Sequence, residues 1–150
     1  MEKNKMQKLI EMLKRHEGEV VTNGRHLAYK CPAGYWTLGI GRNIDPNGGI
    51  GLSQEEVDML LENDIARVIK ELASEYSWFN DLDAVRAEAV INAFFCLGAT
   101  RFRGFQKMIQ AFETADYKEA SVQLLDSRFA KQTGRRAIEL ADMIATGKYV

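Results

Sequence analysis

Residues 18–50 interrupt a chain that is otherwise patterned for helix. Before them, Met6, Leu9, Ile10 and Leu13 recur on one helical face over residues 5–15, and Gly18 closes the run. After them, helical spacing returns at residue 53 and continues to the end. In between, short runs such as HLAY (26–29) and WTLGI (36–40) alternate with the turn signals Asn23-Gly24, CPAG (31–34) and DPNGG (45–49). Asn23-Gly24 suits a tight hairpin, because both residues tolerate positive φ. The middle segment therefore reads as a small, strongly turned antiparallel sheet. The whole reads as an α+β fold.

Ser53 opens the long helix that follows, with Glu56 three residues on completing a capping box. Val57, Leu60, Leu61, Ile65, Val68, Ile69 and Leu72 keep helical spacing along it. The segment 82–97, LDAVRAEAVINAFFCL, is apolar nearly all round, so it is expected at the centre of a helical bundle and to stop at Gly98. Shorter amphipathic helices are expected at 104–114, 116–126 and 134–145. The domain organisation expected for residues 1–150 is a single domain. Its sheet lobe spans about 17–52, its bridging helix about 53–76, and its helical lobe about 77–150, joined by the N-terminal helix at 4–15. A cleft between two such lobes is where a site is expected.

Composition narrows the function. The 150 residues are 46% hydrophobic and 27% charged, ordinary values that exclude a disordered tail. No stretch of about 18 apolar residues spans a membrane, and the charged start MEKNKMQKLIEMLKRHEG lacks the apolar core of a signal peptide. Cys31 and Cys96 are too few for a disulfide framework and have no CxxC spacing. With only two histidines beside them, no metal site is expected. The chain is expected to be made and folded in a cytoplasm, without a stable membrane contact. Its net charge of −1 conceals a net −7 over residues 51–83 and a net +3 over each of 1–50 and 101–150. Nucleic acid usually demands a stronger basic field, whereas a less densely charged anionic polymer suits a mildly basic face.

Two stretches carry the candidate chemistry. His16-Glu17-Gly18 puts a carboxylate at the end of the first helix, by itself an ordinary surface position. In CPAGYWTLGIGRN, Gly34, Gly39 and Gly41 flank a Trp and a Thr, which permits close backbone approach.

Taken in order, HEG (16–18), AYKCPAGYWTLGIGRN (28–43), LDAVRAEAVINAFFCLG (82–98) and SRFAKQTGRR (127–136) resemble the phage-type lysozymes. These are the muramidase endolysins related to the lysozyme of T-even phages. The resemblance runs over nearly the whole chain. It implies a lysozyme-like α+β fold and hydrolysis of the β-1,4 bond between N-acetylmuramic acid and N-acetylglucosamine in peptidoglycan. It also implies that Glu17 is the general acid and that Thr37 helps hold the attacking water. Where the family usually has Asp after Tyr-Lys or Tyr-Arg, this chain has Cys31, so a thiol takes the second catalytic position. Arg42 stands where many relatives carry His. By the same resemblance Phe95 matches a cleft aromatic, and Asn43 and Gln123 fall near substrate contacts. The implied enzyme is a monomer that needs no cofactor and takes peptidoglycan polysaccharide, not nucleic acid, as its partner. It would accumulate in the host cytoplasm and reach the wall through a membrane pore.

Glycoside cleavage needs a proton for the leaving oxygen and a nucleophile or charge stabiliser on the opposite ring face. A free Glu, with a pKa of about 4.3, is ionised at neutral pH, and burial is one way to keep its proton. A free thiol, at about 8.5, is mostly neutral there. Cys31 is therefore open to three roles: thiolate on the sugar, base for water, or a polar wall that orders water with Thr37. The missing Asp also leaves open a lytic transglycosylase on the same bond. A Cys-dependent peptidoglycan amidase or peptidase and a non-enzymatic wall-binding module are the remaining alternatives.

Overall fold

A computed structural model describes residues 3–150, with side chains from Met6 onward. Met1 and Glu2, which the sequence reading includes in its single domain, lie outside the described residues. The fold is α+β, with two small antiparallel sheets early in the chain and helices elsewhere. The described residues divide into two compact units, separated after Asp58.

The N-terminal unit opens with helix α1 (Lys3–Glu17). Lys14, Arg15 and His16 lie in its last turn, where cations favour the helix dipole. Gly18, at φ 74°, ends it, and its N–H donates to the Lys14 carbonyl at 3.0 Å. Strands β1 (Val21–Thr22) and β2 (Arg25–His26) form a hairpin of their own. Its turn is Asn23-Gly24 with φ of 50° and 75°, the positive pair that the dipeptide predicts. Strands β3 (Tyr29–Lys30), β4 (Trp36–Leu38) and β5 (Arg42–Asn43) make a second sheet, with Tyr29 opposite Thr37 and Thr37 opposite Asn43. The turned segment thus folds as two sheets where the sequence reading expects one.

Helix α2 (Gln54–Glu75) starts in this unit and continues past the division. Its capping box forms as expected: Glu56 N donates to Ser53 Oγ at 3.1 Å, and Ser53 N donates to Glu56 Oε1 at 3.0 Å. At about 1.5 Å per residue its 22 residues span roughly 33 Å. Only Val68 and Leu72 of its apolar positions are buried, while Val57, Leu60, Leu61, Ile65 and Ile69 stay exposed.

The C-terminal unit holds the hydrophobic core. A 3-10 turn (Ser77–Asp81) leads into α3 (Ala84–Arg103), followed by α4 (Gln106–Glu113), α5 (Tyr117–Leu125), α6 (Arg128–Thr133) and α7 (Arg135–Thr146). Helix α7 packs on α3, α5 and α6, and α4 packs on α5. Asp83 caps α3 by accepting from Arg86 N at 3.1 Å. Arg86 then reaches across to the end of α7, donating from Nε to Ile144 O at 2.6 Å and from Nη2 to Ala145 O at 3.2 Å. It satisfies carbonyls that the helix end leaves open.

The expected central helix does supply core residues Ala89, Val90, Ala93 and Phe94. It breaks at Gly98 (φ 77°, ψ 166°), as expected, but resumes as a further turn that carries Phe102. Helix α6 has no counterpart in the sequence reading, because six residues are too short to show a period. Its signal is the N-cap Ser127, whose Oγ accepts from Ala130 N at 3.1 Å.

Aromatic rings fill the core. Trp78 stacks on Phe112 with centroids 4.5 Å apart, and Phe102 meets both Phe94 (5.2 Å) and Tyr76 (5.5 Å) with tilted rings. Phe102 is fully buried. Phe102→Ala is expected to destabilise this unit by about 3–5 kcal/mol, through lost transfer energy and the cavity left behind. Urea unfolding followed by circular dichroism measures it, and a loss below about 1 kcal/mol would remove Phe102 from the core.

Candidate active site

Four of the six residues that the sequence reading singles out lie in the N-terminal unit. Glu17 is the last residue of α1, and its side chain is exposed. It is not buried but lies against the β4–β5 turn. A Cβ built on Gly41 would come within 2.9 Å of Glu17 Oε2 and 3.0 Å of its Cδ. Gly41 also has φ 67°, so both space and backbone favour glycine there.

Cys31 follows β3, and Thr37 lies in the middle of β4. One carbonyl gathers them. Tyr35 O accepts the Cys31 N–H at 2.9 Å and the Thr37 Oγ1 hydroxyl at 2.9 Å. Thr37 is buried at 4% exposure, whereas Cys31 is half-buried. The Tyr35 backbone N–H is the main cause that holds the Cys31 thiol below its ordinary pKa. Partial desolvation opposes it, and the N–H groups of Ala33 and Gly34 and the Thr37 hydroxyl add to the lowering. The backbone of the short turn after β3 thus favours the thiolate.

Asn43 faces Thr37 across the β4–β5 ladder. Its Oδ1 accepts from Asp45 N at 2.9 Å, so the side chain shapes the following turn. Phe95 and Gln123 belong to the C-terminal unit. Phe95 is 43% exposed on α3, just before the Gly98 break. Gln123, on α5, donates from Nε2 to Glu119 Oε1 at 2.7 Å and lines a cavity of about 730 Å³ with Arg101, Lys107 and Arg128.

Two polar features of the sheet unit escape sequence reading. Asp45, 8% exposed, accepts from Trp36 N at 3.0 Å and from Asn47 N at 2.9 Å. The Asp-Pro-Asn-Gly order that signals a turn is its only trace in the sequence. Arg42 donates from Nη1 to Gly51 O at 3.1 Å and forks onto the Glu56 carboxylate at 3.0 and 2.8 Å, tying the sheet to the start of α2.

These bonds are expected to make the unit acid-sensitive. Asp45 sits below the usual Asp range because of the Trp36 N–H first and the Asn47 N–H second, against some desolvation and with help from the Lys30 charge. Glu56 is lowered by the Ser53 N–H, then by its hydroxyl, against desolvation, and further by Arg42. A carboxylate with a depressed folded pKa contributes stability above its unfolded value, about 3.9 for Asp and 4.3 for Glu, and loses it as pH falls towards the folded one. The N-terminal unit is therefore expected to keep full stability above about pH 5 and to loosen below about pH 4. Trp36 fluorescence in a Trp78→Phe background tests this, and a signal flat from pH 6 to pH 2 would contradict it.

Among the described residues no group of three or more His, Cys, Asp or Glu side chains is arranged to hold a metal. No helix among them is long and apolar enough to cross a membrane.

Comparison with known proteins gives the class. The phage lysozyme family model matches residues 14–142, which include Glu17, Cys31 and Thr37. The chain belongs to the phage lysozyme family, and so is a lysozyme-type hydrolase of the peptidoglycan-lytic class. An endolysin of Acyrthosiphon pisum secondary endosymbiont phage 1 is 31% identical over 130 residues, covering 87% of this chain and 84% of the relative. A Dictyostelium discoideum protein described as "Probable T4-type lysozyme 2" is 28% identical, covering 93% and 94%. A second from that organism, "Probable T4-type lysozyme 1", is 26% identical, covering 91% and 93%.

Proposed function

We propose that this enzyme hydrolyses the β-1,4 bond between N-acetylmuramic acid and N-acetylglucosamine, with Glu17 as proton donor and Cys31 with Thr37 on the water side. The observation that carries the reading is the shared Tyr35 carbonyl, which accepts both the Cys31 backbone N–H and the buried Thr37 hydroxyl on one hairpin. Glu17 gives its proton to the leaving glycosidic oxygen. Water, held by Thr37, attacks the anomeric carbon and loses a proton to the Cys31 thiolate. Thr37 suits that task because its hydroxyl, with its proton donated to the Tyr35 carbonyl, keeps lone pairs to accept from the water. Asn43, Phe95 and Gln123 are assigned to substrate contact. Phe95, with an exposed ring, offers an apolar face to a sugar. In this reading the enzyme is a monomeric endolysin, made in the host cytoplasm, that acts on the cell wall after release through a membrane pore.

The experiment is digestion of purified peptidoglycan with identification of the new sugar termini by mass. New reducing N-acetylmuramic acid ends support hydrolysis of this bond. Termini of the 1,6-anhydro type would instead make it a transglycosylase, and free amines without new sugar ends an amidase or peptidase.

Gly41→Ala tests the placement of Glu17 separately. The added methyl meets the carboxylate, so the rate is expected to fall on the order of tenfold with the fold retained. An unchanged rate would mean that the Glu17 position against this turn does not matter for turnover.

A further inference from the structure

We infer that Asp45 is the positioning residue for the Cys31–Thr37 pair, acting through the single peptide group that joins Tyr35 to Trp36. The inference rests on the assignment of Cys31 and Thr37 above. A peptide group is planar, so fixing the direction of its N–H fixes its C=O. Here the C=O side accepts both the Cys31 N–H and the Thr37 hydroxyl, each at 2.9 Å. The N–H side donates to Asp45 Oδ2 at 3.0 Å. A carboxylate on the N–H of an amide also strengthens its carbonyl as an acceptor, because hydrogen bonds in a chain polarise one another.

Asp45 is itself held on every side. Its Oδ1 accepts from Asn47 N at 2.9 Å, its N–H donates to Asn43 Oδ1 at 2.9 Å, and its carbonyl accepts from Gly49 N at 2.9 Å. Gly49 closes this turn so tightly that a Cβ there would lie 2.5 Å from Asp45 O and 2.7 Å from Asn43 Oδ1. The next residue back, Ile44, donates from its N–H to Trp36 O at 2.9 Å, which pins the other side of Trp36. Lys30, on β3, is the charged group that acts on the Asp45 carboxylate, and its ammonium lies 5.3 Å from the Trp36 ring. A buried carboxylate thus grips one end of the peptide group whose other end holds the Cys31 backbone N–H and the Thr37 hydroxyl. It need not touch substrate.

The test is the pH profile of Cys31 alkylation by iodoacetamide in the full-length protein with Cys96→Ser, which removes the second thiol. Asp45→Asn keeps the size of the side chain and one acceptor oxygen, whereas Asp45→Ala removes both carboxylate oxygens. If Asp45 acts by holding the peptide, the midpoint of the profile rises in both variants, and further in Asp45→Ala. In the same variants kcat for wall digestion falls roughly 10- to 100-fold, with KM within about twofold of the parent. A direct effect of the Asp45 charge on the thiol has the opposite sign, since removing a negative charge favours thiolate. A lowered or unchanged midpoint therefore overturns the inference. So does loss of the folded circular dichroism signal in both variants, which would make Asp45 a stability residue only. Alkylation is read without turnover, so a protein that proves inactive on peptidoglycan still reports on Asp45. A parent that is active, with equally active variants, defeats this inference and leaves the proposed function standing.

Discussion

Glu17→Gln is expected to lower the rate of wall digestion by about 10²–10⁴-fold, the range general acid catalysis contributes. Gln keeps the size and the hydrogen-bonding ends of Glu but carries no transferable proton. The side chain is exposed and is the last residue of α1, so the substitution removes no core contact. Far-UV circular dichroism and the thermal midpoint should stay with the parent, which separates lost chemistry from lost fold. The rate against purified peptidoglycan is the measurement. A Glu17→Gln enzyme working near the parental rate would end the assignment of Glu17 as proton donor.

Cys31→Ala is the second large effect, a loss on the order of 10²-fold or more, since the group proposed to accept the water proton is gone. Cys31→Asp should keep substantial activity, because it places a carboxylate where the chain now has a thiol. The Tyr35, Ala33 and Gly34 N–H groups that lower the thiol pKa can also donate to a carboxylate. Iodoacetamide should inactivate the parent, with soluble wall fragments giving protection. Sensitivity should persist in Cys96→Ser, although Cys96 is also free and is the more exposed of the two. A Cys31→Ala enzyme as fast as the parent would reduce Cys31 to packing and leave Glu17 and Thr37 to carry the reaction.

Legibility in the sequence followed the range of the forces at work. The capping box at Ser53 and Glu56, the Asn23-Gly24 hairpin and the stop at Gly98 were readable because each is decided by a few neighbouring residues. The candidate residues Glu17, Cys31 and Thr37 were legible as motif positions. The contact of Glu17 with Gly41 was not, because it joins residues 24 apart through the course of the backbone. Asp45 was illegible for a similar reason. As a residue type it reads as a turn former, and its grip on Trp36 depends on the β4–β5 register. Helix α2 shows the converse. Its apolar period runs its whole length, yet burial uses only Val68 and Leu72, since a period says which face is apolar and not how much of it is covered.

Among the described residues, every hydrophobic side chain buried in the core lies from Val68 to Ile144, whereas Thr37 and Asp45 are the buried polar residues of the N-terminal unit. That unit is therefore held by turns and hydrogen bonds more than by oil, and such regions open at a fraction of the global unfolding free energy. In hydrogen exchange, the amides of Cys31, Trp36 and Ile44 should trade for deuterium well before those of α3 and α7. Mild urea should silence the enzyme while its helices still report as folded. The proposed catalytic groups ride on the softer half of the chain, so the working lifetime of the enzyme is governed by local melting there, and reinforcing the helical core would lengthen its shelf life without lengthening its working one.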